Sequence, residues 1–299
     1  MRKLILLIAF VSFSIQAQNI TVNSGKSFTV EKAGSVQLYG NLTNNGTFTL
    51  NSDSNEFSSL LVSGAASGDI IYNRYVNIEG TGKWDLIGAP VSNMAFSSLI
   101  TDANIAANGS FYAVGAYDNT TDTWTNVTAA TAGNLALGQG YQMATTGGGT
   151  LSFAGAIANG DQSVTITNND AANSGAGRRW NLIANPFASY LNGNSNADET
   201  NNFLTFNTTA ENDVIDDNFE AIYGWKADGT GYAIYNNAST ATYIAPGQGF
   251  FVAAAGSGGA QTITFTKAMQ TVTGVDDFVA ARSSASYELV LDMYSDGVK

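Results

Sequence analysis

Residues 20–50 alternate between apolar and polar positions with a period of two, which is typical of short β-strands with one buried face. Turn-forming Asn, Gly and Ser separate the apolar pairs, which are Ile20/Val22, Phe28/Val30, Val36/Leu38 and Phe48/Leu50. The first three pairs recur at an interval of eight residues. This interval predicts either rungs of a short β-solenoid or a meander of hairpins.

Further along the chain, one pattern occurs twice. A strand with the pattern W-x-L-I begins at Trp84 and again at Trp180, and each copy ends at a proline. Downstream, a G-Q-G turn begins at Gly138 in the first copy and at Gly247 in the second. Glycines allow positive φ or a close approach of two backbones, and the glutamine is expected to hydrogen-bond backbone groups at the bend.

An aromatic hairpin lies between these two landmarks in both copies. Tyr117 and Trp124 flank the turn in the first copy, and Trp225 and Tyr232 flank it in the second, with a separation of 7 residues in each. Three landmarks in the same order at nearly the same spacing indicate an internal duplication.

The predicted fold class is therefore all-β, with a short N-terminal β-solenoid or meander cap followed by two related, jelly-roll-like β-sandwich modules. The expected divisions are a leader at 1–17, the cap at 18–66, the modules at 68–168 and 173–282, and the start of a further strand region of a longer chain at 283–299. The first aromatic residue of the hairpin lies 39 positions after the proline in the second module, against 27 in the first. The excess lies within residues 192–217 and is expected to form a surface loop.

The N-terminus resembles a secretory signal peptide. Arg2 and Lys3 precede an apolar run, and Ala17 supplies a small residue for cleavage. The apolar run is shorter than the roughly 20 residues that a bilayer-spanning helix needs. We therefore expect a secreted or cell-surface protein without membrane insertion.

The charge balance is acidic. The chain has 12 basic and 24 acidic residues, and removal of Arg2 and Lys3 with the leader would leave 10 basic residues. Such a surface repels phosphate backbones, so nucleic acid is not expected as a partner. Because the chain has no cysteine, we expect a sizeable core or bound ions to hold the fold.

The catalytic inventory is small, because the chain contains neither histidine nor cysteine. Ser-His-Asp triads, cysteine nucleophiles and histidine-based metal sites are thereby excluded. A glycosidase needs only two carboxyl groups, and Asp213, Asp216, Asp217 and Glu220 lie close in sequence. The alternative is a solvated acidic loop, and we expect the protein not to be an enzyme.

Calcium is the one candidate cofactor, since Asp and Asn oxygens are the ligands that it prefers. Asp118, Asn119 and Asp122 lie in one hairpin turn, and Asp216 and Asp217 lie in the longer segment of the second module. No loop matches an EF-hand, and turn-forming Asp and Asn also account for this pattern without a metal.

The aromatic residues divide into two groups. Trp84 and Trp180 share a strand face with leucines and are expected to be core residues. Four hairpin residues are candidates for stacking on sugar rings, the alternative being packing beneath a loop; they are Trp124, Trp225, Tyr232 and Tyr235.

The W-x-L-I-x-x-P strand, the G-Q-G-aromatic turn and the stretch LTNNGTFTL at residues 42–50 resemble secreted cell-surface proteins of Bacteroidetes, in particular adhesin-like cargo of the type IX secretion system. The resemblance covers most of residues 36–280. It implies an extracellular, adhesin-like or matrix-like protein. Such cargo usually carries a C-terminal sorting domain, and this sequence departs from the pattern in lacking one.

These observations favour a non-catalytic extracellular surface protein, active in adhesion or matrix building through duplicated β modules. Its expected partner is an extracellular polysaccharide or another surface polymer. The first alternative is a carbohydrate-binding protein that uses the hairpin aromatics, and the second is a carboxylate glycosidase.

Overall fold

The computed structural model describes residues 14–80, 83–170, 177–226, 228–256, 259–274 and 276–277. Within these ranges the regular structure is almost entirely β-strand arranged in several sheets, which confirms the predicted all-β, sandwich-like fold class. None of the helices in the same ranges has the length and apolar character needed to cross a bilayer.

The chain begins with a short parallel β-helix that has three sides. Each side is a sheet of parallel strands from successive turns of the chain. The three sheets run β1-β4-β7, β2-β5-β8 and β3-β6-β9, with β1 (Ser14–Ala17), β2 (Ile20–Val22), β3 (Ser27–Val30), β4 (Ser35–Leu38), β5 (Leu42–Asn44), β6 (Thr47–Asn51), β7 (Ser59–Val62), β8 (Ala66–Ser67) and β9 (Asp69–Val76). Of the two predicted arrangements, the structure therefore has the solenoid.

Apolar side chains stack on one another along the inside of this solenoid. Phe28 lies beside Phe48 one turn later, with their rings stacked 4.9 Å apart, and Leu50 lies beside Tyr72 in the same way. The predicted interval of eight residues is the spacing between neighbouring sides of one turn. It is not the length of a turn, because each turn has three sides.

The first strand lies inside the segment predicted to be a leader. Strand β1 pairs in parallel with β4, and the Tyr39 amide donates to the Ala17 carbonyl oxygen at 2.9 Å. Ser14–Ala17 thus extends the first turn of the solenoid, whereas the sequence pattern placed residues 1–17 outside the fold. The remainder of the predicted leader, residues 1–13, lies outside the described residues.

The first copy of the repeat forms a sheet of five strands. Its order is β10-β14-β12, with β11 and β13 both paired to β12. The elements of this copy are β10 (Asp85–Ile87), α1 (Phe96–Leu99), β11 (Ala107–Asn108), β12 (Phe111–Asp118), β13 (Thr123–Thr128), β14 (Tyr141–Met143), β15 (Gly149–Ala156) and β16 (Gln162–Thr167).

The second copy forms a sheet with the order β17-β22-β19-β20. Its elements are β17 (Trp180–Ala184), β18 (Tyr190–Asn192), α2 (Phe203–Asn207), β19 (Ile222–Trp225), β20 (Tyr232–Tyr235), β21 (Tyr243–Ile244), β22 (Gly249–Ala253), β23 (Ala260–Phe265), a 3-10 helix at Lys267–Met269 and β24 (Gln270–Thr271). This order corresponds to β10-β14-β12-β13 of the first copy. The tryptophan strand, the G-Q-G strand and the aromatic hairpin therefore occupy corresponding positions in the two sheets.

The two sheets meet through reciprocal contacts between their G-Q-G turns and their tryptophan strands. The Gly88 amide donates to the Gly247 carbonyl oxygen at 2.8 Å, and the corresponding Ala184 amide donates to the Gly138 carbonyl oxygen at the same distance. Both turn glycines have positive φ, 74° at Gly138 and 64° at Gly247. The two copies are therefore related by an approximate two-fold axis at this junction.

The second glycine of each G-Q-G turn allows the close approach. A Cβ atom on Gly140 would lie 2.6 Å from Leu182, and one on Gly249 would lie 2.7 Å from the backbone of Leu86. The glutamines bond to backbone groups as expected, and Gln248 Oε1 accepts from the Ala245 amide at 2.9 Å. The turn is thus built to join the two copies.

Strand pairing and the cores cross the predicted module boundaries. Strand β9 lies in the predicted first module but pairs with β6 of the predicted cap, and β15 pairs with β9 and so extends the same side of the solenoid. Strand β16 pairs with β23 of the second copy. One hydrophobic core runs from Val22 in the solenoid to Leu151 and Phe153 in β15. A second core combines Val164 with side chains of the second copy.

The longer segment of the second copy does not lie outside the core, contrary to the prediction. It contains α2, capped by Asn202, whose side chain accepts from the Thr205 amide at 2.8 Å. Phe203 and Leu204 are fully buried in the second core. The polar composition of the segment did not indicate this burial, because four of its asparagines are themselves buried and hydrogen-bonded; they are Asn192, Asn194, Asn202 and Asn207.

Candidate functional site

The two aromatic hairpins place their rings side by side, as the sequence spacing predicted. Tyr117 and Trp124 are cross-strand partners in β12 and β13, with ring centroids 5.1 Å apart. Trp225 and Tyr232 are partners in β19 and β20, with centroids 5.0 Å apart. Because partners on one face of an antiparallel pair lie adjacent, each hairpin presents a ring pair.

The rings of both hairpins converge on Phe251 of β22. Its centroid lies 5.2 Å from that of Tyr117, 6.3 Å from that of Trp124 and 5.9 Å from that of Tyr232, and all three contacts are edge-to-face. Trp225 packs against the small cluster that contains Phe251. We call Tyr117, Trp124, Trp225, Tyr232 and Phe251 the aromatic face; residues from both copies build it.

The aromatic face is open to solvent. Trp124 is 39% exposed and Tyr232 is 45% exposed, while Ile234 beside them is 56% exposed. These are three of the six large apolar side chains that are exposed among the described residues. An exposed apolar patch of this kind is typical of a binding surface.

Polar groups border the rings of the first hairpin. The Tyr117 hydroxyl donates to Asp122 Oδ1 at 2.7 Å. Burial raises the pKa of the Tyr117 and Tyr232 hydroxyls, and the nearby carboxylate of Asp122 raises both further. The two hydroxyls therefore stay protonated at neutral pH and keep their capacity to donate.

A groove of about 410 Å³ opens next to the aromatic face in the second copy. Tyr223 and Ile234 belong to its lining, and they are cross-strand partners next to the pair Trp225 and Tyr232. The remaining lining comes from two loops and consists of Asp217, Asn218, Phe219, Glu220, Ala221, Asn236, Asn237 and Ala238.

Of the four predicted sugar-stacking residues, three lie in the aromatic face and one does not. Trp124, Trp225 and Tyr232 come together around Phe251, although Trp225 and Tyr232 meet edge-to-face and are not coplanar. Tyr235 is partly buried against the second core. Its position follows from strand alternation, since it lies three residues from Tyr232 and so points to the opposite side of β20.

The tryptophans of the repeat, Trp84 and Trp180, are only half-buried. They are less buried than the predicted core position requires. Trp180 packs edge-to-face against Tyr223 at 4.7 Å and against Phe219 at 5.4 Å. Trp84 packs on a separate cluster of alanines. Both lie at the ends of short strands, where a side chain reaches past the edge of the core.

The calcium candidates of the first hairpin turn are engaged by the protein itself. Asp118 accepts from the Thr120 amide at 2.8 Å, which lowers the pKa of its carboxyl. The buried Asn119 side chain donates to the Thr167 carbonyl oxygen at 2.8 Å, and Asp122 accepts from Tyr117. These contacts account for the three side chains without a cation.

Asp216 and Asp217 differ sharply in surroundings. Asp216 shares Arg179 with Asp170, at distances of 2.5 and 2.9 Å from the guanidinium, whereas Asp217 is exposed in the groove. Within the described part of the chain, no three acidic side chains are grouped as a metal site requires. The calcium hypothesis remains a prediction, and a lower melting temperature in EDTA would support it.

Sequence reasoning missed Phe251, Tyr223 and Ile234. Phe251 follows the G-Q-G turn, and the sequence pattern gives it no role in binding. Its central place follows from the position of β22, which lies between the tryptophan strand β17 and the hairpin strand β19. The position of Ile234 can be read from the sequence, because a residue two positions after Tyr232 in a strand lies on the same face of the sheet.

The chain was also compared with known proteins. A family described as a domain of unknown function (DUF8693) matches residues 7–289, and the chain belongs to this family. No curated protein and no solved structure matches the chain.

Proposed function

We propose that this member of the DUF8693 family is a non-catalytic extracellular surface protein, acting in adhesion or matrix building, that holds its target through the aromatic face. One observation carries the proposal: hairpins from both copies converge on Phe251 and leave Trp124 and Tyr232 open to solvent. Aromatic residues contribute large contact areas at low entropic cost, and they dominate binding energy in many interfaces.

The carboxylates support a non-catalytic role. Asp216 pairs with Arg179, which it shares with Asp170, and Asp213, Asp217 and Glu220 are exposed to water. A glycosidase general acid is normally kept protonated by an apolar pocket, which solvent-exposed carboxyls do not have. With neither histidine nor cysteine in the chain, these were the remaining candidates for hydrolysis.

The target is expected to be a polymer outside the cell, reached after export through the predicted leader. A net charge of −12 disfavours nucleic acid and anionic lipid. An extracellular polysaccharide or another surface polymer is compatible with both the charge and the exposed rings.

The test is a binding assay of the purified chain on a panel of polysaccharides and surface polymers, before and after substitution. We expect the double variant Trp124→Ala/Tyr232→Ala to weaken binding about tenfold or more. The matched control is Tyr39→Ala, since Tyr39 is 52% exposed but lies in the solenoid; it should bind normally. Equal binding by both variants would remove the aromatic face from the proposal, and release of reducing ends that Asp217→Asn abolishes would show an enzyme.

A further inference from the structure

We infer that the groove of the second copy and the aromatic face form one continuous site, and that its ligand is a neutral polysaccharide. This inference rests on the proposed function and specifies its ligand. The inference rests on the position of the cross-strand pair Tyr223 and Ile234. Both residues line the groove, and they lie next to the aromatic face.

The two parts are close enough to contact one ligand chain. The pair Tyr223–Ile234 precedes the pair Trp225–Tyr232 by two residues along β19. Two residues of a strand span roughly 7 Å. A single ligand can therefore contact both parts, and a polysaccharide chain would do so with neighbouring sugar units.

The groove offers the groups that recognise sugar hydroxyls. Asn218, Asn236 and Asn237 carry amides that both donate and accept, and Asp217 and Glu220 accept. A hydroxyl also donates and accepts, so it pairs with either group. Phe219 and Tyr223 add ring surface for the apolar side of a sugar.

The charge of the groove selects against acidic ligands. Its described lining contains two carboxylates, Asp217 and Glu220, and no basic side chain. Both carboxylates are exposed. A sulfated, phosphorylated or uronic acid polymer would be repelled. The inferred ligand therefore carries no acidic groups, and the amides and rings of the groove fit a neutral sugar chain.

Buried side chains of the second copy hold one wall of the groove in place. The amide of Asn194, which is fully buried, lies within 3.1 Å of the carbonyl oxygens of Asn236, Ser239 and Thr240. The Ser195 amide donates to Asn237 Oδ1 at 3.0 Å.

The opposite wall is held by Asp216. Its Oδ1 atom accepts from the Asn218 amide at 2.9 Å, while Arg179 pairs with the other oxygen. A preformed groove loses little entropy when it binds a ligand. The longer segment of the second copy therefore both enters the core and supports the groove.

The experiment measures affinity of the purified chain for neutral oligosaccharides of increasing length and for a uronic acid polymer of similar length. The groove variant is Asp217→Ala/Glu220→Ala. The matched control is Glu211→Ala/Asp213→Ala, which removes the same charge from exposed positions of the same segment outside the groove. The Trp124→Ala/Tyr232→Ala variant reports on the aromatic face.

We expect longer neutral chains to bind more tightly than short ones. The groove variant should bind them about tenfold more weakly and should lose the dependence on chain length, whereas the control variant should bind like the unchanged protein. A neutral ligand that the groove variant binds normally would overturn the inference. So would tighter binding of the uronic acid polymer than of the neutral chains. In each of these cases, loss of binding in Trp124→Ala/Tyr232→Ala would leave the proposed function standing without the inference. Normal binding by that variant would contradict both.

Discussion

The two copies of the repeat share a strand order but differ in the row of side chains that crosses each sheet. In the first copy Gln142, Gly115 and Asn126 lie in register across β14, β12 and β13. In the second copy the corresponding row, across β22, β19 and β20, is Phe251, Tyr223 and Ile234.

This difference explains how two similar sheets make one site. The apolar row of the second copy gives the first copy's hairpin a surface to pack on, and Tyr117 and Trp124 cover Phe251. The polar row of the first copy has no ring at the position of Phe251. Duplication thus supplied the scaffold, and divergence in one row supplied the aromatic face.

The largest expected effect concerns the connection of the second copy to the solenoid. Arg74 of β9 is fully buried, donates to the Pro246 carbonyl oxygen at 2.9 Å and pairs with Asp277 at 3.2 Å. Arg74→Ala should lower the free energy of unfolding by about 3 to 5 kcal/mol, because it removes a buried guanidinium that pairs with the buried carboxylate of Asp277. Denaturant unfolding measures this, and Lys32→Ala, at an exposed ion pair with Asp53, should cost at most about 1 kcal/mol. Similar losses in both variants would contradict the anchoring role.

The second prediction tests the difference between the apolar row of the second copy and the polar row of the first. Phe251→Ala should lower the free energy of unfolding by about 3 kcal/mol, since it removes a ring that is 5% exposed, whereas Gln142→Ala should cost less than about 1 kcal/mol. Tryptophan fluorescence should also change in Phe251→Ala, because Trp124 loses its packing partner. Equal costs would mean that the two rows are equivalent after all.

The third prediction tests the two-fold junction. Gly140→Ala and Gly249→Ala should each destabilise by about 2 kcal/mol, because each new Cβ atom would approach the opposite copy within 2.7 Å. Thermal or denaturant unfolding of the two variants gives the comparison. A loss in one variant alone would show that the two contacts differ.

The smallest expected effect concerns the tyrosine of the first hairpin. Tyr117→Phe removes the hydrogen bond to Asp122 and should cost about 1 kcal/mol. The raised pKa of Tyr117 favours the protonated folded form. Its contribution is therefore complete below the ordinary tyrosine pKa near 10 and is lost as the pH rises above it. Stability measured between pH 9 and 11 should fall less steeply in Tyr117→Phe, and an unchanged slope would count against this assignment.

The sequence predicted the all-β class and the aromatic hairpins, and it predicted the solenoid as one of two alternatives, because a period of two and the internal repeat are local signals. It could not predict that β15 joins β9 or that β16 joins β23, since pairing between distant strands leaves no local pattern. Asparagine-rich composition suggested a surface loop where the structure buries α2. Buried asparagines that bond to backbone look the same in sequence as exposed ones.

Only part of the candidate site could be predicted from the sequence, again because local patterns do not show which distant strands meet. Trp124, Trp225 and Tyr232 were identified from their hairpins, but Phe251 at the centre of the face was not. Tyr235 was a candidate because it belongs to the same hairpin, although alternation along β20 turns it towards the core. The placement of a ring depends on which sheets meet, and that is settled by the reciprocal glycine contacts of the two copies.

The most direct test of the aromatic face uses the four tryptophans of the chain as separate probes. Indole NH signals would be recorded by NMR during titration with a polymer that the chain binds. Trp124 and Trp225 should shift, whereas Trp84, which packs in a separate cluster of alanines, should not. Saturable binding that shifts Trp84 and leaves Trp124 and Trp225 unchanged would contradict the claim that the two copies jointly form the contact surface.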